Sequence, residues 1–432
     1  MSELIDIHIA LIGPGRVGRW LIEDLRAKYD PKRTGVRIHI DRIIARDPKK
    51  PRPDMGQSRL SFDPKDVYND PGIKIVVETV NDLETSKNIA CEAMRNGKHW
   101  VTSSKTMALY PREIADAAAS NKRNIGYLAS VGGGTCVLER ISQIPYRITT
   151  VVGVLNTTSH FILRGMLRGE TYEAALREAQ TRGIAEPNPE FDVKGRDGAH
   201  KIAIIAQRAW NTAVTHRQVC TEPIDTITPI DIQLADALIF RDEAGNKHPH
   251  VIMPIQVAQI QAGKLVLGSF PALIPGNHIL TSIGESENAA YIYHERRKEP
   301  IEVRGIGAGE PTADALISDI VEIAKKDERG FIDPPTLDAH LDVLDAGDIE
   351  SEFYIRLFTH NIPGSMHKIS GILSKHGINM QMFYQPQLIR RGMRGTIAII
   401  VDREKSSTLH NALKEIRELK YAEDILLLRL FR

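Results

Sequence analysis

Cysteine is scarce in this chain. Three cysteines in 432 residues, Cys91, Cys136 and Cys220, lie far apart and form no CxxC pair. That argues against a disulfide framework and against a zinc site, and points to a reducing compartment. An excess of charge of either sign is missing too. The 56 basic residues are met by 55 acidic ones, so no broad field favours a nucleic-acid or acidic partner. No apolar run is long enough to span a bilayer. The chain reaches a strand almost at once, without a signal-peptide pattern. Internal repeats and low-complexity segments are absent. Together these absences point to a soluble, cytoplasmic globular protein with no nucleic-acid partner and no membrane contact. The length exceeds one ordinary core, so two or three domains are expected.

What is present begins with a strand, Ile5 to Ile12, that runs into Gly13-Pro14-Gly15-Arg16-Val17-Gly18 and then a helix expected from Trp20 to Tyr29. Strand, GxGxxG, helix is a dinucleotide-binding order. The first glycine makes the turn, the second admits a pyrophosphate, and the third lets the helix close on the strand. The phosphates would lie on the helix N-terminus. A bare tight turn is the plain alternative. A second strand, Val36 to Ala45, ends in Arg46-Asp47-Pro48-Lys49-Lys50-Pro51-Arg52. The basic residues lean towards a ribose 2′-phosphate and hence NADP, while Asp47 keeps NAD open.

Further strands (Ile73 to Thr79, and Trp100 to Thr102 after the Gly97 turn) alternate with a helix, Thr85 to Asn96. This alternation predicts a doubly wound parallel sheet. Ser103-Ser104-Lys105 is expected to open another helix just past a strand's carboxyl end, where ligands of such sheets bind. A lysine there opposes the helix dipole, which favours a functional role. Ser130-Val131-Gly132-Gly133-Gly134 closes this part, its glycines suggesting close backbone–ligand approach. Beyond it, helices (Tyr172 to Arg182, Ala199 to Trp210) and strand-like runs (Val251 to Gln256, Leu265 to Leu267) read as an α+β region. The glycine run Gly305-Ile306-Gly307-Ala308-Gly309 is expected near the cofactor. Pro311-Thr312-Ala313 and a helix from Ala315 to Lys325, returning to the first domain, follow.

Gly183 to Lys201 organises the rest. Pro187 and Pro189 should hold an extended loop, Gly195 a turn, and Asp192 or Asp197 a helix cap. Ile202-Ala203-Ile204-Ile205-Ala206 is apolar on every face and should be buried. Glu186, Asp192 and Asp197 then converge on Lys201 as a site for a small, polar, cationic substrate with an acid/base nearby. A solvated Asp197–Lys201 pair is the plain alternative. After an acidic linker at 331–350, the tail from Ser351 reads as βαβ-βαβ, a ferredoxin-like small domain.

With these residues in view, the chain resembles homoserine dehydrogenase in the form with a C-terminal ACT domain, over essentially its whole length. Gly97-Lys98-His99-Trp100-Val101-Thr102-Ser103-Ser104-Lys105 is similar to the family's G-K-H-V-V-T-A-N-K. Ala129-Ser130-Val131-Gly132-Gly133-Gly134 is similar to A-S-V-G-G-G. The stretch from Gly153 to Leu163 resembles G-I-L-N-G-T-T-N-F-I-L. Gly183 to Lys201 resembles G-x-x-E-P-D-P-x-x-D-x-x-G-x-D-x-x-x-K. Gly307-Ala308-Gly309 and Pro311-Thr312-Ala313 match a later cofactor loop, with one residue fewer between them. Phe353 to Gln385 is similar to the ACT pattern.

The resemblance implies a Rossmann domain at 1–134, a substrate-binding and dimerisation domain at 135–310, and a helix at 311–330 returning to the first domain. A linker at 331–350 and an ACT regulatory domain at 351–432 complete it. It implies reversible hydride transfer between NADP (or NAD) and aspartate semialdehyde, giving homoserine. Lys105 and Lys201 are then the lysines beside the reacting oxygen, one of them general acid/base, with Asp197 orienting Lys201 or the hydroxyl. Reducing an aldehyde needs a proton donor at the developing alkoxide, a task a desolvated lysine can be tuned for. Glu186, Asp192, Asn156 and Thr158 would bind the substrate. Gly13, Gly15, Arg16, Val17, Gly18, Arg46, Thr79, Ser103, Lys105, Gly307 and Gly309 would meet the cofactor. An amino-acid effector at the ACT domain and a homo-oligomer, dimer or tetramer, are also implied.

Several residues depart from the family pattern: Ser104 for Asn, Thr157 for Gly, His160 for Asn, Asn188 for Asp, and Asn81-Asp82 for a glycine pair. Leu128 stands for Glu beside Val131, where relatives bind a monovalent cation through backbone carbonyls; no metal is assigned here. Asn361 replaces the Asp of the regulatory D-x-P-G loop. Two rival readings go with these departures. One is an oxidoreductase of the same type acting on another small amino- or hydroxy-aldehyde. The other is a non-catalytic amino-acid sensor, against which the presence of Lys105, Asp197 and Lys201 speaks.

Overall fold

The computed structural model describes residues 4–49, 58–242, 244–307, 309–329, 337–386 and 393–431. Lys50 and Arg52 of the basic loop, Ala308 of the glycine run and Asp333-Pro334-Pro335 of the linker lie outside the described residues. Chain contacts divide the molecule into two compact units that interleave along the sequence. One comprises Met1–Val151, His200–Arg217 and Glu287–Leu341. The other comprises Val152–Ala199, Gln218–Ser286 and Asp342–Arg432.

In the first unit, short apolar runs form a six-stranded sheet: β1 (Ile5–Ile12), β2 (Val36–Ile44), β3 (Arg59–Ser61), β4 (Ile75–Glu78), β5 (His99–Thr102) and β6 (Ile125–Gly126). They pair in parallel in the order β3-β2-β1-β4-β5-β6. Strands of such a sheet are apolar almost without interruption, as Ile9, Leu11, Val76 and Val77 are, all fully buried. The strand order reverses at β1/β4, the point at whose carboxyl ends doubly wound sheets bind ligands.

The helix after the glycine turn begins at Arg16, not at Trp20, and runs Arg16–Ala27. Gly18 therefore lies inside its first turn. A Cβ there would sit 2.8 Å from Gly13 O, so only glycine lets the helix close on the strand end. Gly13 itself is left-handed, at φ 93°. A second departure is at Lys105. No long helix opens there. A single 3₁₀ turn, Thr106–Ala108, follows Lys105, and the α-helix waits until Pro111–Asn121. Pro111 fixes that start, because proline fits the first helical position and pushes the residue before it out of the α region. The dipole misfit expected of a helix-start lysine at 105 thus does not apply.

The helix Pro311–Arg329 packs on Arg16–Ala27, β5 and β6. Its Asp319 is buried and accepts the Leu128 N–H at 2.9 Å. Burial pushes this carboxyl well above the usual range. Gly126 makes room for it, since a Cβ there would lie 2.6 Å from Asp319 Cγ. The triple glycine also serves internal contact. A Cβ on Gly133 would be 2.8 Å from Thr312 Cα, and one on Gly134 would be 3.0 Å from Pro311 Cβ. The close approach read from these glycines is thus to the chain's own Pro311-Thr312 segment.

In the second unit the long antiparallel pair Lys247–Gln261 and Lys264–Pro275 forms one side of a mixed sheet. Ala422–Leu430 adds parallel to the latter, followed by Glu350–His360, Arg394–Lys405 and Met380–Tyr384. The tail's four strands thus stand in the order 4-1-3-2, with helices Ser365–Lys375 and Ser406–Arg417 between them in sequence. Alternation divides the first of these strands. Phe353, Ile355 and Leu357 join the core of the two tail helices. Tyr354 faces a second core with Phe161, Ile162 and Ile252. On that second face Arg356, itself buried, donates from Nε to Asp231 Oδ1 at 2.8 Å and so stays paired away from water.

Candidate active site

Four strand ends of the first unit carry sequence-predicted residues: Arg46 past β2, Gly13 to Gly18 past β1, Thr79 past β4, and Ser103 and Lys105 past β5. Thr79 donates its hydroxyl to Gly13 O, locking the glycine turn to β4. The helix Arg16–Ala27 has no side-chain cap and no acidic residue in its first turn, so its leading N–H groups suit a phosphate. A Cβ on Gly15 would meet nothing nearer than Gly13 O at 4.0 Å, which leaves the approach clear. These features fit a dinucleotide. Arg46 is exposed, and Asp47 Oδ1 accepts the Lys49 N–H at 2.9 Å within its own loop. Gly307 is close-packed rather than open, the Asn288 amide filling the place of its Cβ.

Glu78, at the end of β4, went unpredicted as a site residue. It is fully buried, and its carboxylate accepts from Val80 N–H, Ser86 Oγ, Thr102 Oγ1 at 2.8 Å and Ser104 Oγ at 3.0 Å. Burial pushes its pKa up, and these four donors partly offset that.

One helix, Arg196–Trp210, carries both Asp197, in its first turn, and Lys201, one turn on. Its apolar run, Ile202 to Ala206, is entirely buried. Asp197 is inside the helix rather than capping it, and Asp192 lies on a separate four-residue helix, Glu190–Val193. Pro189 is not extended; at φ −85° and ψ 3° it leads into that short helix. Lys201 is 8% exposed. Gln207, on the same helix, donates to Met107 O at 2.8 Å, and His216 Nδ1 lies 3.2 Å from Ala108 O. The segment bearing Lys201 is thereby tied to the 3₁₀ turn that follows Lys105. Gln207 also went unpredicted, because Met107 lies 100 residues away in the chain.

The second unit gathers the acidic residues around Asn156. Its Nδ2 donates to Asp192 Oδ1 at 2.6 Å and to Asp197 Oδ2 at 2.8 Å. Its Oδ1 caps the helix Thr157–Leu167 by accepting the Ser159 N–H at 2.8 Å. Two neighbouring hydroxyls hold the loop in place: Thr158 donates to Ile184 O at 3.1 Å, and Ser159 to Asp192 O at 3.1 Å. Ser159 was not predicted, and Thr158 acts here on the loop backbone. Glu186 is exposed, and its backbone carbonyl, rather than its carboxylate, takes part in the bond from Gln180 Nε2 at 3.3 Å.

Beneath this group, Gly195 (φ 75°) and Gly198 bring the helix start onto the sheet. A Cβ on Gly195 would lie 2.9 Å from Ser269 O, and one on Gly198 2.8 Å from Gln256 Nε2. Gln256 in turn accepts the Leu155 N–H at 2.6 Å, fixing the residue before Asn156. Gly198→Ala is expected to destabilise the protein by about 1–3 kcal/mol through overpacking, read as a lower denaturation midpoint.

A parallel sheet with a glycine turn, and a lysine-bearing helix that begins on clamped carboxylates, are the parts of an NAD(P)-dependent oxidoreductase acting on a CH–OH group. The comparisons with known proteins agree and narrow the class. The model of the homoserine dehydrogenase NAD binding domain matches residues 13–128, and that of homoserine dehydrogenase matches residues 137–321. The homoserine dehydrogenase of Helicobacter pylori is 30% identical over 427 residues, covering 97% of each chain. That of Bacillus subtilis is 28% identical over 432 residues, covering 97% of this chain and 96% of its own. The crystal structure of a homoserine dehydrogenase from Thiobacillus denitrificans superposes with a TM-score of 0.89 at 27% identity, covering 100% of this chain and 99% of that one. The chain belongs to the homoserine dehydrogenase family.

Proposed function

We propose that the protein oxidises L-homoserine to L-aspartate 4-semialdehyde, and catalyses the reverse reduction, with NADP as its preferred cofactor. The observation that carries the substrate reading is the Asn156 amide holding Asp192 and Asp197 together. Two carboxylates kept side by side by a neutral donor make a receptor for an ammonium group. Lys201 follows Asp197 by one turn on the same helix.

In the oxidation, the hydroxyl proton passes to a lysine, Lys201 or Lys105, while the carbinol hydrogen leaves as hydride. The nicotinamide cofactor held at the glycine turn would supply the hydride acceptor. In the reduction, the same lysine returns the proton to the developing alkoxide. Asp192 and Asp197 hold the substrate by its ammonium group. Glu186, exposed on its loop, would reach the ammonium only from the solvent side.

The NADP preference rests on Arg46, exposed at the end of β2, and on Asp47 being tied to its own loop. A steady-state assay with homoserine and each cofactor tests both parts. Turnover should be faster with NADP. Arg46→Ala should lower kcat/KM for NADP about 10-fold or more, the worth of one charge-assisted bond, and leave that for NAD unchanged. Turnover only with other small hydroxy acids would favour the alternative substrate reading, and binding without turnover a sensor.

The tail at 351–432 reads as an ACT domain on its βαββαβ order, with an amino acid as effector and a homo-oligomer as the assembly. No helix among the described residues is long and apolar enough to cross a membrane, which is compatible with a cytoplasmic enzyme.

A further inference from the structure

Lys105, one of the two lysines proposed for the chemistry, lies just before a 3₁₀ turn and not on a strand or α-helix. Turns move more readily than strands or helices. Something must therefore hold this one. The residues on both sides of Lys105 lead back to a single buried side chain. On one side, the Ser104 hydroxyl lies 3.0 Å from Glu78 Oε1 and shares its proton with Val80 O, while the Ser103 N–H donates to the Glu78 main-chain carbonyl at 3.2 Å. On the other side, the Thr106 hydroxyl pairs with Ser86 Oγ at 2.5 Å, and Ser86 donates to Glu78 Oε2. Thr102, at the end of β5, completes the set at 2.8 Å and also receives the Ser104 N–H at 2.8 Å.

Glu78 is fully buried among these groups. A carboxylate in that setting costs several kcal/mol unless its oxygens are satisfied. An apolar residue would stabilise the sheet more simply. What the carboxylate adds is direction: two oxygens, each accepting from two donors on different elements. β4, β5, the helix Leu83–Arg95 and the 3₁₀ turn are all tied to it.

We infer that Glu78, acting through Ser104 and through the Ser86–Thr106 hydroxyl pair, is the positioning residue that fixes Lys105 beside the reacting oxygen. The inference rests on the proposed role of Lys105 in the chemistry. Glu78 itself touches neither substrate nor the reacting atoms. Loss of the Ser104 link should let Lys105 wander without emptying the substrate or cofactor site. Misplacement of an acid/base by about 1 Å costs on the order of 100-fold in rate, so a single lost tether should cost about 10-fold.

Steady-state kinetics of the full chain with homoserine and NADP test this. Ser104→Ala is expected to lower kcat about 10-fold, with KM for homoserine and the Kd for NADPH near wild type. Glu78→Leu, similar in volume but without acceptors, should lose kcat further. Glu78→Gln, which keeps a carbonyl acceptor and can donate to Ser104, should recover most of it. Thermal denaturation of each variant identifies any that fail to fold. Wild-type kcat in a folded Ser104→Ala, or a folded Glu78→Gln as impaired as Glu78→Leu, overturns the positioning role. Lys105→Ala is measured alongside. Near-normal kcat in that variant fails the assignment of Lys105 itself, whereas lost kcat there with unchanged kcat in Ser104→Ala overturns the inference alone.

Discussion

Lys201→Ala should abolish measurable turnover while NADPH affinity stays near wild type. Lys201 is buried, one turn after Asp197, in a helix whose next residues, Ile202 to Ala206, admit no water. A solvent-facing lysine in that position would be replaceable, and a buried one is there for a partner. Removing a general acid/base costs about 100- to 10,000-fold in rate. The upper part of that range is expected here, since burial leaves no bulk water to take the proton. The glycine turn, Thr79 and the uncapped helix start that suit the cofactor do not depend on Lys201. Fluorescence titration with NADPH should therefore be unchanged. Near-normal turnover in the variant would remove Lys201 from the chemistry and leave Lys105 as the acid/base.

Asn156→Asp should be nearly as damaging, for a different reason. The exchange is close to isosteric, so packing is kept. It replaces an NH₂ that donates to Asp192 and Asp197 by an oxygen that can donate to neither. Two bonds to charged groups are lost, each worth about 1.5–3 kcal/mol, and a third negative charge enters a buried cluster. The expected loss in kcat/KM for homoserine is more than about 100-fold, mostly in KM, since the carboxylates bind substrate in ground and transition state alike. The helix cap survives, because an aspartate oxygen can still accept the Ser159 N–H. Stability should therefore fall less than activity. A variant with wild-type KM would mean that Asp192 and Asp197 do not read the substrate.

Much of this arrangement was legible in the sequence wherever the signal is local. The glycine turn, the buried run after Lys201 and four of the six strands, β1, β2, β4 and β5, follow from residues adjacent in the chain. Local rules failed where neighbours compete. The helix was expected from Trp20, but it begins at Arg16, with Gly18 in its first turn against Gly13 O. Ser103-Ser104-Lys105 looked like a helix start, but Pro111 sets the start later. The contacts that hold the site were not legible, because the partners are remote. Asn156 was expected at the substrate, but not as the clamp on Asp192 and Asp197, 36 and 41 residues away. Glu78 reaches Ser104 across 26 residues. Gln207 reaches Met107 across 100. Each is a polar side chain whose role exists only once the chain has folded. The departures from the family pattern divide in the same way. Ser104 has a partner that explains it, in Glu78, while nothing in the structure explains Asn188 for aspartate.

On the proposed reading, carboxylates clamped by Asn156 recognise the substrate's ammonium group. The most direct measurement is kcat/KM of the wild-type enzyme with homoserine and with 4-hydroxybutanoate, which differs only in lacking the amino group. Homoserine should be preferred by at least about 100-fold, the worth of pairing the carboxylates with their cation. Comparable values for the two alcohols would contradict it.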